Sequence, residues 1–274
     1  MNINMLKKLV FLDWILGIKR RWLYYVIAII IFIIEIGYFI SRYYAFRVGG
    51  TITSQPGVID CILFVFNGSE EYKIESGLAF NIPSLWLLLN LFSMYVVGYY
   101  PIENLKKYSA QILIRCNNRV EYWISKIIWC IFTVVIFYLL LFVIATIFVV
   151  FLGDFSVLLH NDICENIMGI NTENMTILRL LTPFLILLMM AIVQVNVSIL
   201  LSPVTANLIM VIYMVCSVYY SNNFFVYNYC MYSRIFQNSA DNIIALVTAL
   251  IFSLLLLIIS SVLALKKSSK IDIC

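Results

Sequence analysis

Motifs that mark covalent or metal chemistry are missing from this chain. Among 274 residues there is one histidine, His160, and only 12% of residues are charged. No HExxH pair is present to hold a hydrolytic zinc, and no CxxC or Cys/His spacing suggests a metal site. The nucleotide-cradling loop GxxxxGK[ST] is absent as well. If this chain drives an uphill process, the engine is therefore expected on another polypeptide. A lone exposed histidine is read as surface. The sequence predicts no catalytic residue, no metal and no cofactor of its own. Internal repeats and low-complexity linkers are also lacking, so residues 1–274 are read as one domain.

What is present is hydrocarbon. The chain is 64% hydrophobic with a mean hydropathy of +1.00, more apolar surface than a soluble domain of this length buries. Crossing a hydrocarbon layer of roughly 30 Å takes about 20 helical residues at a rise of about 1.5 Å each. Six runs qualify, at 22–40, 78–100, 127–152, 180–201, 203–220 and 243–265. None alternates like a membrane β-barrel strand. The predicted fold class is an all-α polytopic membrane protein with six transmembrane helices. The first run is too long for a signal-peptide core and is followed by Ser41, Arg42 and Tyr43 rather than a small-residue cleavage site, so an uncleaved anchor is expected. Glu70-Glu71 is similar to the start of the paired glutamates of intramembrane CAAX-type proteases. It lies outside the runs, however, and lacks the following arginine and the supporting histidines.

Basic residues resist translocation and so set orientation. With both termini cytoplasmic, the inner side holds 13 Lys and Arg, including Lys7, Lys8, Lys19, Arg20, Arg21 and Lys126, while the outer side holds five. Most acidic residues, among them Asp60, Glu70, Glu71, Asp154 and Asp162, fall outside. The net charge of +4 is then a topological bias suited to anionic inner-leaflet lipid, with no nucleic-acid partner implied. Cys61, Cys164 and Cys230 fall on the outer side; a disulfide among them would leave one over, and free thiols are the simpler expectation.

Residues 1–21 are predicted to form an interfacial helix anchored by Trp14 and the Lys/Arg cluster. The outer loop 41–77, with Gly49-Gly50, Pro56-Gly57 and Asn67-Gly68, reads as irregular and partly stranded. The stretch 221–242 concentrates Phe224, Phe225, Tyr227, Tyr229, Tyr232 and Phe236. It is predicted to form short re-entrant helices at the outer membrane surface. Leu201-Ser202-Pro203 leaves only a tight turn between the fourth and fifth runs, so those two helices form an antiparallel hairpin. Polar residues inside the spans are costly and are functional candidates by default. They are Glu35, Asn90, Gln194, Asn196 and Asn207, read either as a translocation path or as interhelical hydrogen bonding.

One internal segment is addressed to water. Residues 101–126, PIENLKKYSAQILIRCNNRVEYWISK, hold five of the 18 basic residues between two apolar runs. A short helix over 103–114 is predicted, broken at Cys116-Asn117-Asn118, with Arg119 opening a second helix through Tyr122, Trp123 and Lys126. The glutamate-bearing stretch, the apolar Gln111-Ile112-Leu113-Ile114, the polar turn ending in Arg119 and the aromatics beyond it resemble the coupling-helix region of type-2 ATP-binding-cassette exporter permeases. The family's turn often reads proline–small–small–arginine; here Cys116 replaces the proline. The interfacial N-terminal helix, six spans, minimal turn and re-entrant aromatic segment are similar in arrangement along the whole chain. The resemblance implies a transmembrane subunit that pairs with an identical or different permease in the bacterial cytoplasmic membrane. Two ABC ATPase subunits, carrying ATP and Mg, would dock at Tyr108, Gln111, Ile112, Leu113, Arg115 and Arg119. It also implies export of a peptide antibiotic, drug or lipid-like substrate. The alternative is an ion channel or ion-coupled secondary transporter using Glu35 and the buried amides.

Overall fold

A chain with so little polar surface has to satisfy its peptide groups internally, and it does so with helices alone. The computed structural model describes residues 3–71, 82–104, 119–153, 155–173, 175–222, 224–236 and 242–268, and no strand occurs among them. The elements that carry the argument are α1 (Ile3–Asp13), α2 (Trp22–Val48), α3 (Val58–Val65), α4 (Ser84–Asn104) and α5 (Arg119–Phe151). They are followed by α6 (Ile177–Leu200), α7 (Pro203–Tyr219), α8 (Tyr232–Phe236) and α9 (Asn242–Ser268). Four stretches are long and apolar enough to cross a membrane: Met5–Val48, Val120–Phe151, Ile177–Leu200 and Ile243–Lys267. The shorter α7 is an apolar helix of the same character.

Helix α6 is the hub and packs against α4, α5, α7 and α9. Its neighbours turn outward the stripes that would be intolerable in water. On α2 these are Leu23, Ile27, Ile30 and Ile34, and on α9 Ile244, Ile251, Leu255, Ile259 and Val262, each exposed at helical spacing. Such surfaces fit a hydrocarbon surround, where lipid tails cover them. Local chemistry starts α7 where the sequence places it. Ser202 Oγ accepts the Thr205 N–H and Thr205 Oγ1 accepts the Ser202 N–H, with Pro203 at the first helical position, where no N–H is needed. At the other side of that turn, Lys267 Nζ donates to the Leu200 carbonyl that ends α6.

Two loop expectations change. The loop 41–77 is not partly stranded among its described residues: α2 runs on to Val48, and α3 occupies Val58–Val65. An apolar run of eight residues cannot be told from a strand by periodicity. Here the cap decides, because the Asp60 carboxylate accepts the Gly57 N–H at 2.8 Å and closes the first turn. The aromatic stretch does form short helical turns, at Val226–Cys230 and in α8, but Tyr227, Tyr232 and Ile235 are buried inside the protein rather than spread on a surface.

The outer-loop chemistry is also tighter than a solvated surface. Asp60 is fully buried and holds two loops together: Oδ1 accepts the His160 N–H at 3.0 Å, and Oδ2 lies 2.9 Å from His160 Nδ1. Cys164 Sγ points at the same carboxylate. His160, read from sequence as surface, is thus a tether. Burial pushes the Asp60 carboxyl above its ordinary range, while the Gly57 N–H and His160 pull it back. Asp60→Ala is expected to cost about 2–3 kcal/mol, since hydrogen bonds to a charged group contribute about 1.5–3 kcal/mol. It should also expose Cys164, a buried free thiol, to maleimide in the purified protein. Unchanged Cys164 labelling, read by peptide mass spectrometry, would contradict this role.

Candidate functional site

The residues bracketing the 105–118 segment converge on one buried ion pair. Lys126, counted from sequence among the solvated inner charges, is 1% exposed and forms a salt bridge to Asp13, which is buried to the same degree. Tyr100 on α4 donates to Asp13 Oδ1 at 2.8 Å. The Lys126 ammonium lies 5.0 Å from the Tyr100 ring centre and 4.6 Å from that of Tyr122, so aromatic faces cover the charge that water would otherwise solvate. Arg21 places its guanidinium 5.2 Å from the centre of the same Tyr100 ring. The chain can approach this closely because residue 17 is glycine: a Cβ there would overlap the Trp129 ring. Asp13 ends α1, Tyr100 lies one turn from the end of α4, and Lys126 lies two turns into α5. One cluster therefore locks the N-terminal helix to both flanks of the segment.

Helix α5 begins at Arg119, where the sequence places a helix start after the Cys116–Asn118 break. Of the candidate coupling residues, Tyr108, Gln111, Ile112, Leu113 and Arg115 lie outside the described residues, and for Arg119 only the backbone is described.

The four membrane amides fall into three hydrogen-bond sets. Gln194 Nε2 on α6 donates to the Met94 carbonyl of α4 at 2.9 Å and to Asn207 Oδ1 of α7. Gly98 makes the space: a Cβ there would overlap both amides. Asn196 joins three helices, accepting from Trp123 Nε1 at 3.0 Å and donating to Ser260 Oγ and Ser261 Oγ of α9 at 3.1 and 3.0 Å. Asn90 donates to the Trp86 carbonyl within its own helix at 2.8 Å. Polar residues collect on α6 because the hub is shielded from lipid on several sides. Gly98→Ala is expected to cost about 1–3 kcal/mol by overpacking this junction. Asn207→Leu, which removes one hydrogen bond, should cost less, about 0.6–1.7 kcal/mol. Thermal unfolding in one detergent ranks them, and the reverse order would refute the close-approach argument.

Glu35 stands apart. It is 1% exposed, yet neither carboxylate oxygen has a hydrogen-bond partner among the described residues. It borders a cleft holding about 190 Å³ of solvent space between α2, the end of α3 and the start of α4, shared with Arg42, Asn67, Ser69 and Trp86. Arg234 is an anchor that sequence reasoning passed over. It donates to the Ser217 carbonyl at 2.6 Å, to the Val218 carbonyl, to Asn228 Oδ1 and, through Nε, to the Ser69 carbonyl at 3.1 Å. Burial lowers its pKa to about 10, so it remains cationic at neutral pH.

Asp13 was equally unforeseen. The available signal was that it is the one acid among the first 34 residues, set within a basic, apolar stretch. No group of three or more His, Cys, Asp or Glu that could hold a metal occurs among the described residues. No family model, curated protein or solved structure matches this chain.

Proposed function

We propose that the chain is the transmembrane permease subunit of an ATP-driven exporter in a bacterial cytoplasmic membrane. In this reading it has six spans, with α4 and α7 crossing alongside the four long helices, and both termini lie inside. Two copies, or this chain and a second permease, form the dimer, and separate ABC ATPases dock at the 101–126 segment. The cargo is a peptide antibiotic, drug or lipid-like molecule. The observation that carries this reading is the Asp13–Lys126–Tyr100 cluster at the base of that segment. A force applied between Asn104 and Arg119 enters a unit in which α1, α4 and α5 are already joined. It reaches the hub α6 through the contacts of α4 and α5 with it.

The test is co-expression with an ATPase encoded beside this chain, followed by purification and measurement of ATP hydrolysis in proteoliposomes. A stable complex is expected, with hydrolysis stimulated by the permease. Arg119→Ala or Ile112→Asp should abolish that stimulation while leaving the permease monodisperse. Transport by the single purified chain without ATP would overturn the proposal and favour the ion-coupled reading. That alternative draws its support from the unpartnered Glu35 carboxylate.

A further inference from the structure

Basic residues cluster where the chain enters hydrocarbon. Lys19 and Arg20 are exposed, Arg21 is half-buried, and the next residues, Trp22 and Leu23, open the exposed apolar stripe of α2. Residues 1–34 carry five cations, Lys7, Lys8, Lys19, Arg20 and Arg21, against the single acid Asp13, which is paired with Lys126. Positive charge is therefore in excess along this arm. Arg21 is also held in place: its guanidinium lies 5.6 Å from the Tyr24 ring centre and 5.2 Å from that of Tyr100. From Tyr24 the rings continue onto α4. Tyr24 meets Tyr95 at 6.1 Å, and Tyr95 stacks on Tyr99, one turn further on, at 5.9 Å. Tyr95 and Tyr99 are exposed, whereas deeper along the same helices the outward face is aliphatic, at Ile27, Ile30, Ile34 and Leu88. One strip across α2 and α4 thus joins an oriented cation to a row of hydroxyl-bearing rings.

The geometry points to a binding site for an anionic phospholipid headgroup on this strip, formed by Lys19, Arg20, Arg21, Tyr95 and Tyr99. A guanidinium presents paired N–H donors that match a phosphate, and contact with two ring faces presets its direction. Each tyrosine sets a ring against carbon and a hydroxyl against phosphate or ester oxygen, the mixed chemistry of the headgroup layer. The excess charge selects an anionic headgroup over a zwitterionic one, each basic residue near the membrane surface contributing about fivefold. A soluble acidic protein or a nucleic acid fits worse, because the strip runs without a break into Trp22, Leu23 and Ile27, exposed side chains that belong in lipid. The site requires only that α2 and α4 border the bilayer. It does not depend on the export reading; a chain that never meets an ATPase would still show it.

The full chain is released from micelles holding equal amounts of phosphatidylglycerol and phosphatidylcholine, and retained lipid is read by native mass spectrometry. Preferential retention of phosphatidylglycerol is expected. The double variant Lys19→Gln, Arg20→Gln should lower its apparent affinity by at least tenfold, and Tyr95→Phe with Tyr99→Phe by a few-fold. Lys7→Gln with Lys8→Gln removes the same charge from exposed positions on α1 and should change the affinity by less than about twofold. If the Lys19, Arg20 double variant does not purify as a folded protein, Lys19→Gln alone takes its place, with a loss of about fivefold. Soluble glycerol 3-phosphate, which has the phosphate without the chains, should not compete at millimolar concentration. Equal retention of the two lipids, undiminished binding by the Lys19 variants, or an equal loss from the Lys7, Lys8 pair overturns the proposal. Competition by glycerol 3-phosphate overturns it as well, by showing a site for free phosphate instead of lipid.

Discussion

Lys126→Met is expected to destabilise the protein by about 3–5 kcal/mol, because it removes the ammonium paired with an Asp13 carboxylate that is only 1% exposed. Tyr100 would still donate to Asp13 Oδ1, but a neutral hydroxyl does not replace an ammonium. Asp13→Ala should be comparably costly, since it leaves a lysine enclosed by Tyr100 and Tyr122. The double variant Asp13→Leu, Lys126→Met separates two effects. Replacing both members of a buried pair with apolar groups is often neutral, so stability should return to within about 1 kcal/mol of wild type. A denaturant-unfolding double-mutant cycle in a single detergent measures this, and a Lys126→Met protein with the wild-type midpoint would refute it. On the export reading the restored double variant carries a second consequence. It should fold yet transmit ATPase docking less well, since apolar contact holds α1 to α4 and α5 with less directional rigidity than an ion pair.

Arg234→Met is the other large effect, also about 3–5 kcal/mol. Its guanidinium sits at the C-terminal end of α7 and takes up the Ser217 and Val218 carbonyls. These belong to the last turn of the helix, where acceptors have no intrahelical donor and partial negative charge accumulates. The same group holds Asn228 of the aromatic turn and the Ser69 carbonyl at the Glu35 cleft. Four acceptors in three segments lose one donor together. Arg234→Lys keeps the charge but not the planar fork, so it should recover only part of the loss. Melting temperatures of the three proteins give the order wild type, Lys, Met. Equality of the Lys and Met variants would show that charge contributes nothing at this position.

Several elements were legible because their signals are local. The Ser202-Pro203-Val204-Thr205 start of α7 is a capping box with proline at the first helical position, and it forms as written. The Arg119 start of α5 follows from the polar Cys116-Asn117-Asn118 break. Length and apolarity alone identify four of the helices as able to cross a membrane. The readings that changed did so for two different reasons. Val58–Val65 is apolar enough to be either strand or helix, and the Asp60 cap that settles it is an interaction with the backbone N–H of Gly57. The aromatic stretch 224–236 has a composition suited to an interface. Yet Tyr227 and Tyr232 find partners in the Met94 sulfur and the Leu180 carbonyl and go inside.

By itself the sequence determined the helical class, the apolar lengths and the Ser202–Thr205 cap, because each depends on residues close together in the chain. Only the tertiary structure decided which charges are solvated. Lys126 and Arg234 look like ordinary basic residues in the chain, and Asp13 and Asp60 like ordinary acids. Their burial depends on partners 113, 165 and 100 residues away, with Asp13 shared by Lys126. A buried charge is stable only beside its complement, and complementarity over such separations is set when helices pack. The same reason leaves Glu35 as the exception: packing buried its carboxylate and supplied no donor from the described residues.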